Sequence, residues 1–167
     1  MEDNPGIGLH LGCGKHRWNG WINIDIADSA DISCDLRRLE LKSDYADIAV
    51  AIHVIEHFYE WEAKPLLEEW RRVLKPGGKL VLELPSMNKV LAYITNAVNR
   101  KEPLSMRFSW WPFWGDPKYK DEFMTHKWGY TEEMMIQLLT DAGFRYAEVE
   151  EPRYHFKDRD MRITAIK

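Results

Sequence analysis

Cysteine is scarce in this chain: Cys13 and Cys34 are its only two. Two cysteines do not frame a disulfide scaffold, and both are expected to be reduced, packed thiols of a cytoplasmic protein. Long apolar runs are missing as well. The longest near the middle, Ile48–Ile52, is far too short to span a bilayer. The opening MEDNPG is acidic and polar, so no signal peptide is expected. There is no internal repeat and no low-complexity tract. Nor does one sign of charge dominate: 23 basic against 27 acidic residues give a net charge of −4. Nucleic-acid binding by bulk charge is therefore not expected. The partner expected is a small molecule, with no membrane, and nothing here reads out an oligomeric state.

What is present is an ordinary soluble balance, 45% apolar and 30% charged over 167 residues, enough for one domain with a sizeable core. Strands are predicted at Ile7–Leu11, Trp21–Asp25, Asp31–Cys34, Ala46–Ile52 and Lys79–Pro85. The fourth is almost wholly apolar, as a strand buried on both faces should be. Leu66, Leu67, Trp70, Val73 and Leu74 repeat at helical spacing, with Pro65 expected in the first turn and Lys75–Gly78 as the closing turn. A helix is predicted over Met87–Val98, and another from Thr131, stopped by Gly143. Phe144–Glu150 and Met161–Lys167 read as two last strands without a helix between them, hence antiparallel. The fold class is α/β, a Rossmann-like, mostly parallel sheet with an antiparallel last strand. Lys15–Gly20 is too short for the usual first helix, so the first helices are shortened.

Tryptophan is the one compositional excess. There are 8, and four of them (Trp110, Trp111, Trp114 and Trp128) lie in the stretch 99–128 or at its end. That stretch also holds Pro103, Pro112 and Pro117 and shows no clear period. Residues 1–167 are read as one domain in which 99–128 is an inserted, aromatic-rich cap over the ligand edge of the sheet.

In an open α/β sheet, ligands bind beyond the carboxyl ends of the strands. The first strand ends in Gly12-Cys13-Gly14, where glycines let the backbone turn sharply and approach a ligand. The second ends in Asp25, whose carboxylate suits a ribose diol. Asp35 follows the third and suits an amine. Each feature alone is weak; three at successive strand ends carry more weight.

With LHLGCG, GWINIDI, Asp35-Leu36, ADIAVAIHVIEH and RRVLKPGGKLVLELP, the chain resembles the class I S-adenosylmethionine-dependent methyltransferases, and more narrowly the methyltransferase type 11 group, from about Ile7 to Pro85. The tail HKWGYTEEMMIQLLTDAGF is similar to that group's closing helix and turn. The resemblance implies S-adenosyl-L-methionine as cofactor. It implies Gly12, Cys13 and Gly14 under the methionine part, Asp25 on the ribose, Ile26 and Leu36 against the adenine, Asp35 at its amine and His53 at the sulfonium end. His10 stands where an acid is common and is carried over as a contact to the cofactor's amino group. His16 replaces a third glycine.

A hydroxyl acceptor needs a proton acceptor, and histidine suits that task. His57 and His126 are the candidate catalytic residues, with a small-molecule or sugar-type acceptor methylated at oxygen. Trp and Tyr faces, with Arg107, Lys118, Lys120 and Lys127, suit a planar or sugar acceptor that carries negative charge. Two alternatives stand beside this: a non-catalytic module binding an adenosyl ligand or a partner, and a zinc-dependent hydrolase using His53, Glu56 and His57, since His53–His57 spells H-x-x-E-H. No metal is assigned, because His53 directly follows a buried strand rather than sharing a helical turn with His57.

Overall fold

The structure, a computed structural model, describes residues 6–167. The opening MEDNP, read above for its lack of a signal peptide, lies outside the described residues. The strands are β1 (Gly8–Leu11), β2 (Ile22–Asp25), β3 (Ile32–Ser33), β4 (Ala46–Ile52), β5 (Leu74–Pro85), β6 (Tyr146–Glu150) and β7 (Asp160–Ile166). They form one seven-stranded sheet in the order β3-β2-β1-β4-β5-β7-β6. Pairing is parallel from β3 through β5, and β7 runs antiparallel to both β5 and β6. The order reverses between β1 and β4, which is where an open α/β sheet leaves a crevice at its carboxyl edge.

The helices are α1 (Glu60–Val73), α2 (Met87–Arg100), α3 (Met106–Ser109), α4 (Trp111–Trp114) and α5 (Glu132–Asp141). Burial explains the sheet's asymmetry. On one face Leu9, Leu11, Ala49, Ala51, Leu80 and Leu82 pack with Leu66, Leu67 and Trp70 of α1 and with Met135 and Leu139 of α5. On the other, Ile48, Val50 and Val81 cluster with Trp21, and Trp18 and Ile52 pack against them. No helix joins β1 to β2 among the described residues. The short connection instead lays Trp18 on the face a first helix would cover, in edge contact with Trp21 at 5.1 Å between ring centroids.

Several boundaries differ from expectation. Pro65 lies inside α1 rather than in its first turn. The helix begins earlier because the Tyr59 N–H donates to Glu62 Oε2 at 3.0 Å, satisfying an N-terminal donor one turn upstream. Lys75–Gly78 does not separate helix from strand. β5 starts at Leu74, and the partners of Ala46 and Ile48 jump from Leu74 to Lys79, so the extra residues form a bulge inside the strand. Gly77 supplies its left-handed residue (φ +80), and Lys75 is pinned to Asp47 at 2.8 Å. The stretch 99–128 is not irregular throughout: it contains α3, α4 and a 3₁₀ turn at Glu122–Met124. α5 matches its capping signals, with Thr131 Oγ1 accepting from the Met134 N–H and Gly143 at φ +89.

Candidate functional site

β1 ends in a turn that only glycines adopt easily: Gly12 has φ +65 and Gly14 φ +50. The N–H groups of Gly12 and Cys13 donate to the Ile24 carbonyl at 2.8 and 3.2 Å, folding the turn onto β2. The Gly14 N–H donates to Asp25 Oδ2 at 2.8 Å, and the Ala27 N–H to Asp25 Oδ1 at 3.0 Å. Each carboxylate oxygen thus spends one lone pair on the backbone and keeps one. A Cβ on Gly14 would meet nothing within 4 Å, whereas one on Gly12 would lie 2.5 Å from Val54 Cγ2.

This turn forms one end of a cleft of about 1050 Å³ at the carboxyl edge of the sheet. Gly12, Cys13, Gly14, Asp25, Ile26, Asp35, Leu36 and His53 all line it. His10 does not, which corrects the expectation placed on it. Leu9 and Leu11 belong to the main core, so strand alternation sends His10 to the opposite face. There it is buried, stacks on Trp18 at 4.1 Å between ring centroids and pairs with Asn23 Oδ1 at 3.3 Å. Burial lowers its pKa. Asp35 lines the cleft but already holds the Arg37 guanidinium, at 2.6 Å to Nη2, and that bond holds its carboxyl below the usual range. Arg37 also reaches Glu62 at 2.7 Å and ties the β3 end to α1.

At the end of β4, His53 sits at φ +52, followed by the 3₁₀ turn Ile55–His57. Its Nδ1 bonds Glu56 Oε1 at 2.8 Å, and its Nε2 lies 3.4 Å from Asp160 Oδ2. Arg159 completes the chain, with Nε 2.6 Å from Asp160 Oδ1. Burial opposes the charged form of His53, but the carboxylates of Glu56 and Asp160 outweigh it and raise its pKa to about 9. Burial likewise works against both carboxylates, yet His53 keeps each well below the usual range. Two cations and two anions make the cluster neutral overall. Sequence reasoning missed Arg159 and Asp160, which stand more than 100 residues from His53 with no local signal.

Glu83, near the carboxyl end of β5, was missed too. Its buried carboxylate accepts the backbone N–H groups of Arg153, Tyr154 and His155 at 2.8–2.9 Å. It thereby fixes the β6–β7 connection, whose His155 and Phe156 form part of the cleft wall.

His57 and His126 face each other across the cleft wall, ring centroids 4.9 Å apart and nearly perpendicular. His57 Nδ1 lies 3.2 Å from the Thr125 carbonyl and His126 Nδ1 lies 2.9 Å from the Pro112 carbonyl. A carbonyl only accepts, so both rings carry their proton on Nδ1 and leave Nε2 as a lone pair. Burial lowers the His57 pKa. The Lys127 N–H donates to the Glu56 carbonyl at 2.7 Å and fastens the end of 99–128 beside the 3₁₀ turn. The H-x-x-E-H string lies on no single helical turn, since His53 precedes the 3₁₀ turn at positive φ and faces Asp160.

The tryptophans divide differently than expected. Of the four in the aromatic stretch, Trp111 alone lines the cleft. Trp114 is 67% exposed, and Trp110 and Trp128 are exposed as well. Trp61 lies on α1 and is exposed. Trp21 and Trp70 are buried, and Trp70 Nε1 donates to the Leu36 carbonyl at 3.1 Å. Among the cations of the stretch, Lys118 is paired with Asp116 at 3.0 Å, and Arg107 lies over the Trp111 and Phe156 rings.

No helix among the described residues is long and apolar enough to cross a membrane.

The methyltransferase domain family matches residues 9–82. No curated protein sequence matches the chain. Among solved structures it is similar to a SAM-dependent methyltransferase from Methanosarcina mazei, with 23% identity and a TM-score of 0.65 over 100% of this chain and 94% of that one. It is also similar to a possible histamine N-methyltransferase from Thermotoga maritima (16% identity, TM-score 0.63, 97% of this chain and 82% of that one). A third is the 1,6-didemethyltoxoflavin-N1-methyltransferase of Burkholderia thailandensis, solved with 1,6-didemethyltoxoflavin and S-adenosylhomocysteine (14% identity, TM-score 0.63, 98% of this chain and 72% of that one). At these identities the structures speak for the fold, and the family match falls on the part of the chain that carries the glycine turn and the strand-end acids. Residues 9–82 match the methyltransferase-domain family, and the whole chain has the fold of the S-adenosylmethionine-dependent methyltransferases.

Proposed function

We propose that the chain transfers the methyl group of S-adenosylmethionine to a hydroxyl oxygen of a small, sugar-type or planar acceptor. The residues present fit the cofactor. The space beside Gly14 admits a ligand against the backbone, and Asp25 keeps a lone pair on each oxygen for a ribose diol. In this reading Gly12, Cys13 and Gly14 pass under the methionine part, Ile26 and Leu36 pack on the adenine, and Asp35 meets its amine while held by Arg37. His53 lies at the sulfonium end, where its charge is cancelled by Glu56 and Asp160. Residues 99–128 act as a cap on a domain that spans the chain.

Bound S-adenosylmethionine supplies a methyl group already activated by its sulfonium. The chain must then exclude water, align the acceptor oxygen and take its proton. The observation that carries the reading is the imidazole pair His57–His126. Both rings are held in the tautomer that offers Nε2, on the wall of the cleft. His57 is kept neutral by burial and is ready to accept the hydroxyl proton. Trp111, Tyr119, Phe123 and Met124 give the acceptor an apolar and aromatic wall, and Lys120 and Arg107 bring positive charge to it. Incubation with methyl-labelled S-adenosylmethionine and a panel of sugars, phenols, amines and carboxylates tests this. O-methylated product, lost in His57→Ala and His126→Ala, is expected; label on amines or carboxylates alone contradicts the hydroxyl reading.

A further inference from the structure

The Glu56 carboxylate is fully buried, and only one of its oxygens is used. Oε1 bonds His53, whereas Oε2 has no hydrogen-bond partner within the described structure. A buried carboxylate oxygen without a partner is costly and asks for an explanation. One carboxylate oxygen of Glu56, one ring nitrogen of His57 and one of His126 lie within 4.8 Å of one another. The nitrogens left on the two rings are Nε2, because each Nδ1 is bonded to a backbone carbonyl. That arrangement, with the outer ring nitrogen fixed by an acceptor, is how proteins orient histidine metal ligands. We propose that Glu56, His57 and His126 form a binding site for one divalent first-row transition ion, opening on the acceptor side of the cleft.

Two imidazoles and one carboxylate suit ions of the zinc, cobalt, iron and manganese kind. Ligand distances of about 2.1 Å require the three groups to close in on the ion from that spacing. Three protein ligands leave coordination positions for water or an acceptor oxygen. The site is braced from outside: Glu56 by His53 and Asp160 behind it, and His126 by the Lys127 N–H bond to the Glu56 carbonyl. A second cluster of the same kind, His53, His155 and Asp160, is a poorer candidate, because the Arg159 guanidinium already occupies Asp160 and lies 3.3 Å from His53 Nε2.

Binding of the ion does not rest on the acceptor reading above; its consequence does. In the metal-free chain His57 takes the acceptor proton as above; with the ion on the two Nε2 lone pairs, the acceptor oxygen is activated by coordination instead. The bound hydroxyl loses its proton to water and its oxygen forms the new bond to the methyl carbon. The carbon–sulfur bond breaks, and its electron pair stays on sulfur as a neutral thioether.

The probe is Co²⁺ alone, titrated into the chelator-stripped full chain and followed by visible absorption and calorimetry. One ion per chain with a d–d absorption band is expected. Glu56→Gln and His126→Asn should each weaken it by more than about 100-fold, beyond the range seen when only an outer partner of a ligand is removed. His126 is only half-buried, so its variant keeps the fold by circular dichroism even where Glu56→Gln does not. Absence of a band and of heat at millimolar Co²⁺, or equal binding by His126→Asn, overturns the site. Methyl transfer that persists in chelator while cobalt binding fails sinks the ion and leaves the hydroxyl reading standing. Cobalt binding without hydroxyl methylation does the reverse.

Discussion

The backbone N–H of Gly14 donates to Asp25 Oδ2 at 2.8 Å, so the glycine turn after β1 and the acid closing β2 are one unit. Substituting Asp25 therefore acts twice, on the proposed ribose contact and on the conformation of the turn. Asp25→Ala should weaken S-adenosylmethionine binding by about 1–3 kcal/mol, the cost of a lost charged acceptor. Asp25→Asn, which keeps an acceptor for Gly14, should lose less. Calorimetric affinities for both variants check this, and equal losses would mean that the turn is not coupled to the carboxylate.

The two glycines of the turn should behave differently. Gly12→Ala combines a left-handed φ with a Cβ 2.5 Å from Val54 Cγ2, so a stability loss of about 1–3 kcal/mol is expected. Gly12 thus has a packing role as well as a ligand-facing one, and Gly12→Val should not leave the fold intact. Adding Val54→Ala should recover the steric part. Gly14→Ala meets no atom and should cost only about 1 kcal/mol of backbone strain, while placing a methyl in the cleft and weakening the cofactor. Denaturant melts and binding isotherms of the two variants separate these effects.

The His53 imidazole should titrate far from its ordinary value. Its folded pKa is raised from 6.5 to about 9 by Glu56 and Asp160. A raised folded pKa gives stability that is full below about pH 6.5 and is lost as pH climbs through about 9. Urea midpoints should fall over that window, and the His53 ring proton should show its NMR midpoint near the upper end. A midpoint near 6.5 would mean that the buried pair is not ionised.

The aromatic stretch should divide by function. Trp111→Ala, at the cleft wall, should raise the acceptor KM by about tenfold, the worth of one aromatic stacking contact. Trp114→Ala, at a 67% exposed side chain, should leave it unchanged. Steady-state kinetics on the first acceptor identified decides this.

The cofactor half of the protein was legible because its signals are local. Ala46–Ile52 is a buried strand with the boundaries its apolar run implies. Thr131 and Gly143 cap α5 through atoms within three residues of themselves or through their own φ. His10 was readable too, since alternation with Leu9 and Leu11 already puts it on the far face. Glu83, Arg159 and Asp160 were not readable. Glu83 finds its partners 70 to 72 residues downstream, in backbone amides that no side-chain pattern records. Lys75–Gly78 carries a turn composition, yet lateral pairing with β4 absorbs it as a bulge. Exposed and packed tryptophans also have the same letters, so Trp111 and Trp114 separate only when the cleft is known.

Titration of S-adenosylhomocysteine into the wild-type chain and into Asp25→Ala, side by side in one calorimeter, tests the central claim most directly. Saturable binding at one site per chain, weakened in the variant while its circular dichroism is unchanged, is the predicted result. Absence of binding to the wild type, or equal affinity for both proteins, would contradict the placement of the cofactor between the glycine turn and β2.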